Sequence, residues 1–150
     1  MRVMAIDPGV TTGWAIGNYD AATKTLAVEA SGYTPWREFA VMIFEAMQDP
    51  ERRFDHVVYE TWRLYKTHAM TQVGSDMPSS QCVGCIWLAV EMANRGGHRC
   101  TISDQPAAYK KVIDARMGGP ETYLPKSEVD HDRDALRHLW YWAMRKNGDL

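Results

Sequence analysis

The chain begins with alternating apolar runs and turn residues that predict strands. Residues 3–6 are an apolar run that predicts a buried strand, and Pro8 and Gly9 predict a turn after it. Residues 11–16 predict a strand that returns beside the first, and residues 25–33 predict a third. The connections are short, so the three predicted strands form an antiparallel meander.

Apolar residues at helical spacing alternate with further strand patterns in the rest of the chain. This order predicts an α/β fold in which helices pack on a mixed sheet. We find no linker or repeat, so one domain over residues 1–150 is expected. The predicted elements are a helix from Pro35 to Asp49, a strand over 54–60, a long loop over 61–80, a helix from Ser79-Ser80 to Arg95 stopped by Gly96-Gly97, a strand over 98–102, a helix from Pro106 through Ile113, and a last helix over 128–146.

Composition and charge narrow the class of protein. The 150 residues are 45% hydrophobic and 24% charged, which is typical of a soluble globular domain with a real core. We see no apolar run of membrane-spanning length and no signal peptide, so we expect no membrane partner. The three cysteines favour a reducing, cytoplasmic setting. The net charge of −2 gives no general attraction to nucleic acid, yet it is compatible with a local basic patch.

Acidic residues at three places in the sequence are the candidates for catalysis. Asp7 and Glu60 each end a predicted strand with an apolar body, and they would meet at one sheet edge if those strands are neighbours. His131 and Asp134 lie on one face of the last helix, at the margin of its apolar stripe. Such ligands suit Mg²⁺ or Mn²⁺, and two ions roughly 4 Å apart can activate water against a phosphodiester. Turn capping by Asp7 and complementation of the helix dipole by the last helix's acids are the structural alternatives.

Taken in order, these motifs resemble the RuvC family of Holliday-junction resolvases, and more closely the RuvC-like endonucleases of bacteriophages. The resemblance implies a ribonuclease H-like fold with a five-stranded mixed sheet, and a homodimer that hydrolyses branched DNA, above all four-way junctions. It also implies two Mg²⁺ ions (or Mn²⁺), no nucleotide cofactor, and action in the cytoplasm of a bacterial host. The matching segments are Ala5-Ile6-Asp7-Pro8-Gly9, Thr12-Gly13-Trp14-Ala15, Val57-Val58-Tyr59-Glu60 and His131-x-x-Asp134-Ala135-Leu136. The catalytic and metal-binding residues implied are Asp7, Glu60, His131 and Asp134.

Residues after the fourth and fifth strands are candidates for binding DNA. In the resembling family a lysine after the fifth strand approaches the scissile phosphate, and Lys110 or Lys111 could serve here. Arg63 belongs to a basic stretch that could face phosphates, and Tyr65 could stack on a base at the junction centre. A solvated helix face and ordinary packing are the alternatives for these side chains.

Several assignments stay open on the sequence alone. Asp132 is a rival to His131 as the fourth ligand. Cys82 and Cys85 have zinc-ligand spacing, but no second pair follows, so core packing is favoured. His138 has no evident partner and is assigned a packing or surface role.

Two other classes of protein are weighed against a nuclease. An ATP-binding protein of the actin and sugar-kinase type has a similar first hairpin, but that fold needs two such domains. A non-catalytic module that binds branched DNA would keep the fold and lose the activity.

Overall fold

The described strands form one five-stranded mixed sheet, in the order β3 (Thr25–Pro35), β2 (Thr11–Asp20), β1 (Arg2–Asp7), β4 (His56–Glu60) and β5 (Thr101–Gln105). The computed structural model describes residues 1–61, 77–126 and 130–150. Strand β1 pairs antiparallel with β2, which pairs antiparallel with β3, whereas β4 and β5 continue the sheet in parallel with β1. The helices are α1 (Trp36–Gln48), α2 (Pro78–Arg95), α3 (Tyr109–Arg116) and α4 (Asp130–Asn147), with a 3₁₀ turn at Pro120–Thr122.

The alternation of side chains along β1 decides where its terminal carboxylate points. Met4 and Ile6 belong to the core that includes α1 and α2, whereas Val3 and Ala5 belong to the core beneath α4. Successive side chains of a strand point to opposite faces of the sheet. Asp7 therefore lies on the α4 side, in line with the second set.

Strand β4 repeats this pattern beside β1. Val57 lies in the core of α1 and α2, and Val58 lies in the core of α4, so Glu60 also points to the α4 side. The parallel register sets Ile6 opposite Tyr59, so the two strands end together at one edge. The sequence left open whether the first and fourth strands are neighbours, and the structure shows that they are.

A glycine in β2 lets α4 approach the sheet closely. Gly13 is the register partner of Asp7. A Cβ at Gly13 would lie 1.9 Å from the carbonyl oxygen of His131 and 3.0 Å from the amide nitrogen of Asp132. The first turn of α4 thus rests directly on backbone, which brings His131 to the end of β1.

Most predicted elements are confirmed, with boundary differences that have local causes. The fifth strand begins at Thr101 rather than at residue 98, because the Asn94 side chain occupies the backbone of Cys100: its Nδ2 donates to the Cys100 oxygen at 3.0 Å, and its Oδ1 accepts from the Cys100 N–H at 2.8 Å. Helix α2 begins at Pro78, one residue before the predicted start at Ser79-Ser80, and no side chain caps its first turn. Most of the predicted loop over 61–80 lies outside the described residues.

Helix α3 also begins later than expected. The predicted start was Pro106, but the oxygen of Pro106 accepts a hydrogen bond from the N–H of Tyr109 in a turn, and the helix starts at Tyr109. Among the described helices, none has the length and hydropathy needed to cross a membrane.

Candidate active site

The ends of β1 and β4 and the first turns of α4 enclose a polar site. His131 Nδ1–H donates to Asp7 Oδ2 at 2.9 Å, so α4 and β1 are joined at their ends. The side chain of Asp7 is only 13% exposed, whereas that of His131 is 44% exposed. The imidazole therefore covers the Asp7 carboxylate and remains accessible from solvent.

Lys110 is the central cation of the site. Its Nζ lies 2.7 Å from Glu60 Oε2 and 2.7 Å from Asp134 Oδ2, so it bridges carboxylates from β4 and α4. Of the two lysines proposed to approach the phosphate, Lys110 is thus the one that lies among the carboxylates. Lys111 is exposed and lines an open depression of about 550 Å³ beside the site, together with Lys110 and Asp134.

The two strand-end carboxylates have opposite pKa shifts. Burial raises the pKa of Asp7, the hydrogen bond from His131 lowers it, and the charges of Glu60 and Asp134 raise it again, with a net increase. Burial also raises the pKa of Glu60, but hydrogen bonds from His138 and Lys110 outweigh it and hold the pKa at about 2. The carboxylates therefore lie close enough to repel one another, and Lys110 compensates Glu60 more fully than Asp7.

His138 contacts Glu60 from the buried side of the site, which corrects the assignment of this residue to a packing or surface role. The imidazole is fully buried, and its Nε2–H donates to Glu60 Oε2 at 3.0 Å. On the other side of the ring, Nδ1 lies 2.8 Å from Gln105 Oε1 at the end of β5. The available sequence signal was its position one helical turn after Asp134, on the face that carries His131.

Arg137 also contacts the site and was not predicted from the sequence. Its guanidinium donates to Asp134 Oδ1 at 2.8 Å and to Asp114 Oδ1 at 3.0 Å. Tyr123 Oη also donates to Asp114, at 2.6 Å. Asp134 is therefore fixed by Arg137 on one oxygen and by Lys110 on the other.

The side chains of the site are of the chemical types that bind divalent cations. The site offers three carboxylates as oxygen donors and one imidazole as a nitrogen donor. A bound cation would relieve the repulsion between the carboxylates. In the part of the chain that the structure describes, however, no three His, Cys, Asp or Glu side chains converge closely enough to hold a metal ion outright. The ammonium of Lys110 bridges Glu60 and Asp134 instead, so a metal ion held by these two would require Lys110 to move.

The remaining predicted residues lie apart from this cluster or outside the described ranges. Asp132 is buried and accepts a hydrogen bond from the N–H of Arg133 at 2.8 Å, and His131 rather than Asp132 contacts Asp7. Cys82 is buried in the core of α1 and α2, as expected for a packing residue. Arg63 and Tyr65, the other proposed DNA-binding residues, lie outside the described residues.

The strand order defines the class of fold: an α/β, ribonuclease H-like fold that is similar to solved structures of resolvases. Thermus thermophilus RuvC is similar in structure, with a TM-score of 0.66 and 15% identity over 99% of this chain and 97% of that one. The Fowlpox virus resolvase bound to Holliday junction DNA has a TM-score of 0.63 and 14% identity over 97% of this chain and 98% of that one.

A third similar structure is the yeast mitochondrial Holliday junction resolvase, with a TM-score of 0.64 and 8% identity over 97% of this chain and 79% of that one. The sequence itself matched no protein-family model and no curated protein. The resemblance stated from the motifs is thus confirmed at the level of the fold.

Proposed function

We propose that this protein is a divalent-metal-dependent endonuclease that hydrolyses DNA at four-way junctions or related branched structures. One observation carries the proposal: Lys110 bridges the carboxylates of Glu60 and Asp134 beside Asp7, at the end of a sheet whose fold is shared with resolvases over nearly the whole chain. Packing alone does not explain this convergence, because grouping buried like charges is costly.

The proposed roles follow from the position of each side chain. Asp7, Glu60 and Asp134 bind Mg²⁺ or Mn²⁺, which when bound supplies an activated water and stabilises the leaving oxygen. His131 reaches solvent from its contact with Asp7, so it can act as a further ligand or accept a proton from the attacking water. Lys110, once released from the carboxylates, is placed to contact the phosphate through its ammonium.

A homodimer is part of the proposal, supported by an apolar face of α2. Trp87, Leu88 and Met92 are large and exposed on this helix. A Cβ added at Gly84, one turn before Leu88, would meet nothing within 4 Å in the described part of the chain, so this part of the helix surface is open to a partner. A second copy would cover this face, and Leu88→Glu should convert the dimer to a monomer in sedimentation analysis.

The first test is cleavage of labelled four-way junction, flap and linear duplex DNA by purified protein with Mg²⁺ or Mn²⁺. Asp7→Asn and Asp134→Asn should abolish cleavage while leaving the fold intact. Asp20→Asn is the matched control: Asp20 is exposed at the end of β2, and asparagine keeps the oxygen that accepts from the Ala22 N–H. Equal rates in all variants would contradict the assigned site.

The non-catalytic DNA-binding module is the second candidate, because Lys110 already compensates two of the carboxylates without a metal ion. The two functions differ in a single experiment. Junction binding with no cleavage under any divalent metal supports the module, whereas metal-dependent cleavage of branched DNA, lost in Asp7→Asn, supports the nuclease.

A further inference from the structure

The ring of His138 lies between Glu60 and Gln105, which are paired residues at the ends of the neighbouring strands β4 and β5. Nε2 faces Glu60 Oε2 at the end of β4, and Nδ1 faces Gln105 Oε1 at the end of β5. The imidazole is fully buried, so water does not substitute for either contact. Both ends of the ring are therefore fixed by the protein.

The direction of the hydrogen bond to Glu60 does not depend on the charge of the ring. A carboxylate only accepts hydrogen bonds, so Nε2 carries the proton in this contact. A cationic ring donates from both nitrogens, and a neutral ring keeps Nε2–H toward Glu60 when the Gln105 amide turns its NH₂ to Nδ1. In either case the ring donates to Glu60.

We propose that His138 is a positioning residue that fixes the orientation of the Glu60 carboxylate and so sets the affinity of the site for a divalent cation. This inference rests on the proposed function, since it takes Glu60 to be a metal ligand. Lys110 also contacts Oε2, but it would have to leave if Glu60 and Asp134 were to hold a metal ion. His138 is fully buried and would stay in place, so it would hold Glu60 in both states.

The test is Mn²⁺ binding by the full-length protein without DNA, measured by calorimetry. His138→Leu removes the donor, and we expect Mn²⁺ affinity to fall by about 10- to 100-fold, the usual effect of losing a residue that orients a metal ligand. His138→Gln keeps an N–H at a similar reach and should restore affinity to within a few-fold of the unaltered protein, while His138→Asn is too short and should not.

His56 supplies the matched control. It is also buried and hydrogen-bonded, with Nδ1 at 2.6 Å from Thr101 Oγ1, but it lies at the opposite end of β4 from Glu60. His56→Leu should lower the melting temperature as His138→Leu does and leave Mn²⁺ affinity unchanged. A purely structural role for His138 would make the two variants behave alike.

The outcomes separate this inference from the proposed function. If the unaltered protein binds no Mn²⁺, both are overturned. If it binds Mn²⁺ and His138→Leu binds equally well, the positioning role alone is overturned. Should His138→Leu not fold, the comparison of His138→Gln with His138→Asn decides, and equal affinity in those two overturns the inference.

Discussion

The contact between β2 and the first turn of α4 makes Gly13→Ala the sharpest perturbation of the site. The new Cβ would lie 1.9 Å from the His131 oxygen, whereas real Cβ atoms essentially never come within 3.0 Å of a heavy atom elsewhere in the chain. The atom met is backbone, so no side-chain rotation relieves the clash. The first turn of α4 must retreat by at least about 1.1 Å, or β2 must bend away from it.

This retreat moves His131 away from Asp7 and changes the geometry of the proposed metal site. A misplacement of about 1 Å can cost on the order of 100-fold in rate, so we expect junction cleavage to fall by about that factor. Overpacking should also lower the free energy of unfolding by roughly 1–3 kcal/mol. The assay is single-turnover cleavage of a labelled four-way junction, with thermal melting in parallel.

Gly17→Ala is the matched control on the same strand. Its Cβ would meet the side chains of Leu26 at 3.0 Å and Leu139 at 3.2 Å, with the Ala27 oxygen at 3.1 Å. We expect it to reduce stability but to keep most of the cleavage rate, because it does not touch the first turn of α4. The reasoning is refuted if Gly13→Ala is folded and cleaves at the unaltered rate, or if Gly17→Ala loses activity equally at matched stability.

Four further predictions concern ionisable groups, three at the site and one, His56, at the opposite end of β4. Lys110→Met leaves two carboxylates without their shared cation, so the metal-free protein should lose about 2 kcal/mol of stability. Mn²⁺ should then raise the melting temperature of this variant more than that of the unaltered protein. Lys111→Met is the control, because Lys111 is exposed. At neutral pH without metal, Asp7→Asn should stabilise the protein because the pKa of Asp7 is raised, so its ionised form is disfavoured in the fold. Glu60→Gln should destabilise it by up to about 3 kcal/mol: its pKa is lowered from 4.5 to about 2, so its contribution is present above pH 4.5 and lost as pH falls toward 2, as melting across this range will show. Burial and the charge of Lys146 lower the pKa of His56 from 6.5 to about 4, so stability from its neutral form is present above pH 6.5 and is lost as pH falls through 4, and His56→Gln should flatten that part of the melting profile.

The strand-end carboxylates could be predicted from the sequence because their signal is local. Asp7 and Glu60 follow apolar runs whose alternation fixes the face of the sheet on which each side chain lies. The sequence alone left the pairing of β1 with β4 open, because β2, β3 and α1 lie between them in the chain. The family resemblance implied the fold as a whole, and the structure shows the pairing.

The contacts of the basic and imidazole side chains could not be predicted in the same way. His138 is 78 residues from Glu60 and 33 from Gln105, and its position on α4 is equally typical of a packing residue. Nor does the sequence distinguish Lys110 from Lys111, because only the turn at Pro106 and the later start of α3 decide which lysine faces the carboxylates. The start of β5 likewise depends on one side chain, Asn94, that replaces a strand partner for Cys100.

The distribution of hydrogen-bond donors explains why one carboxylate of the site is less well compensated than the other two. Glu60 is contacted by Lys110 and His138, and Asp134 by Lys110 and Arg137. Asp7 instead has its hydrogen bond from His131, whose ring is partly exposed, and its pKa is raised. A divalent cation bound at this edge would therefore stabilise Asp7 most, since binding would supply the opposite charge that the fold itself gives mainly to the other two.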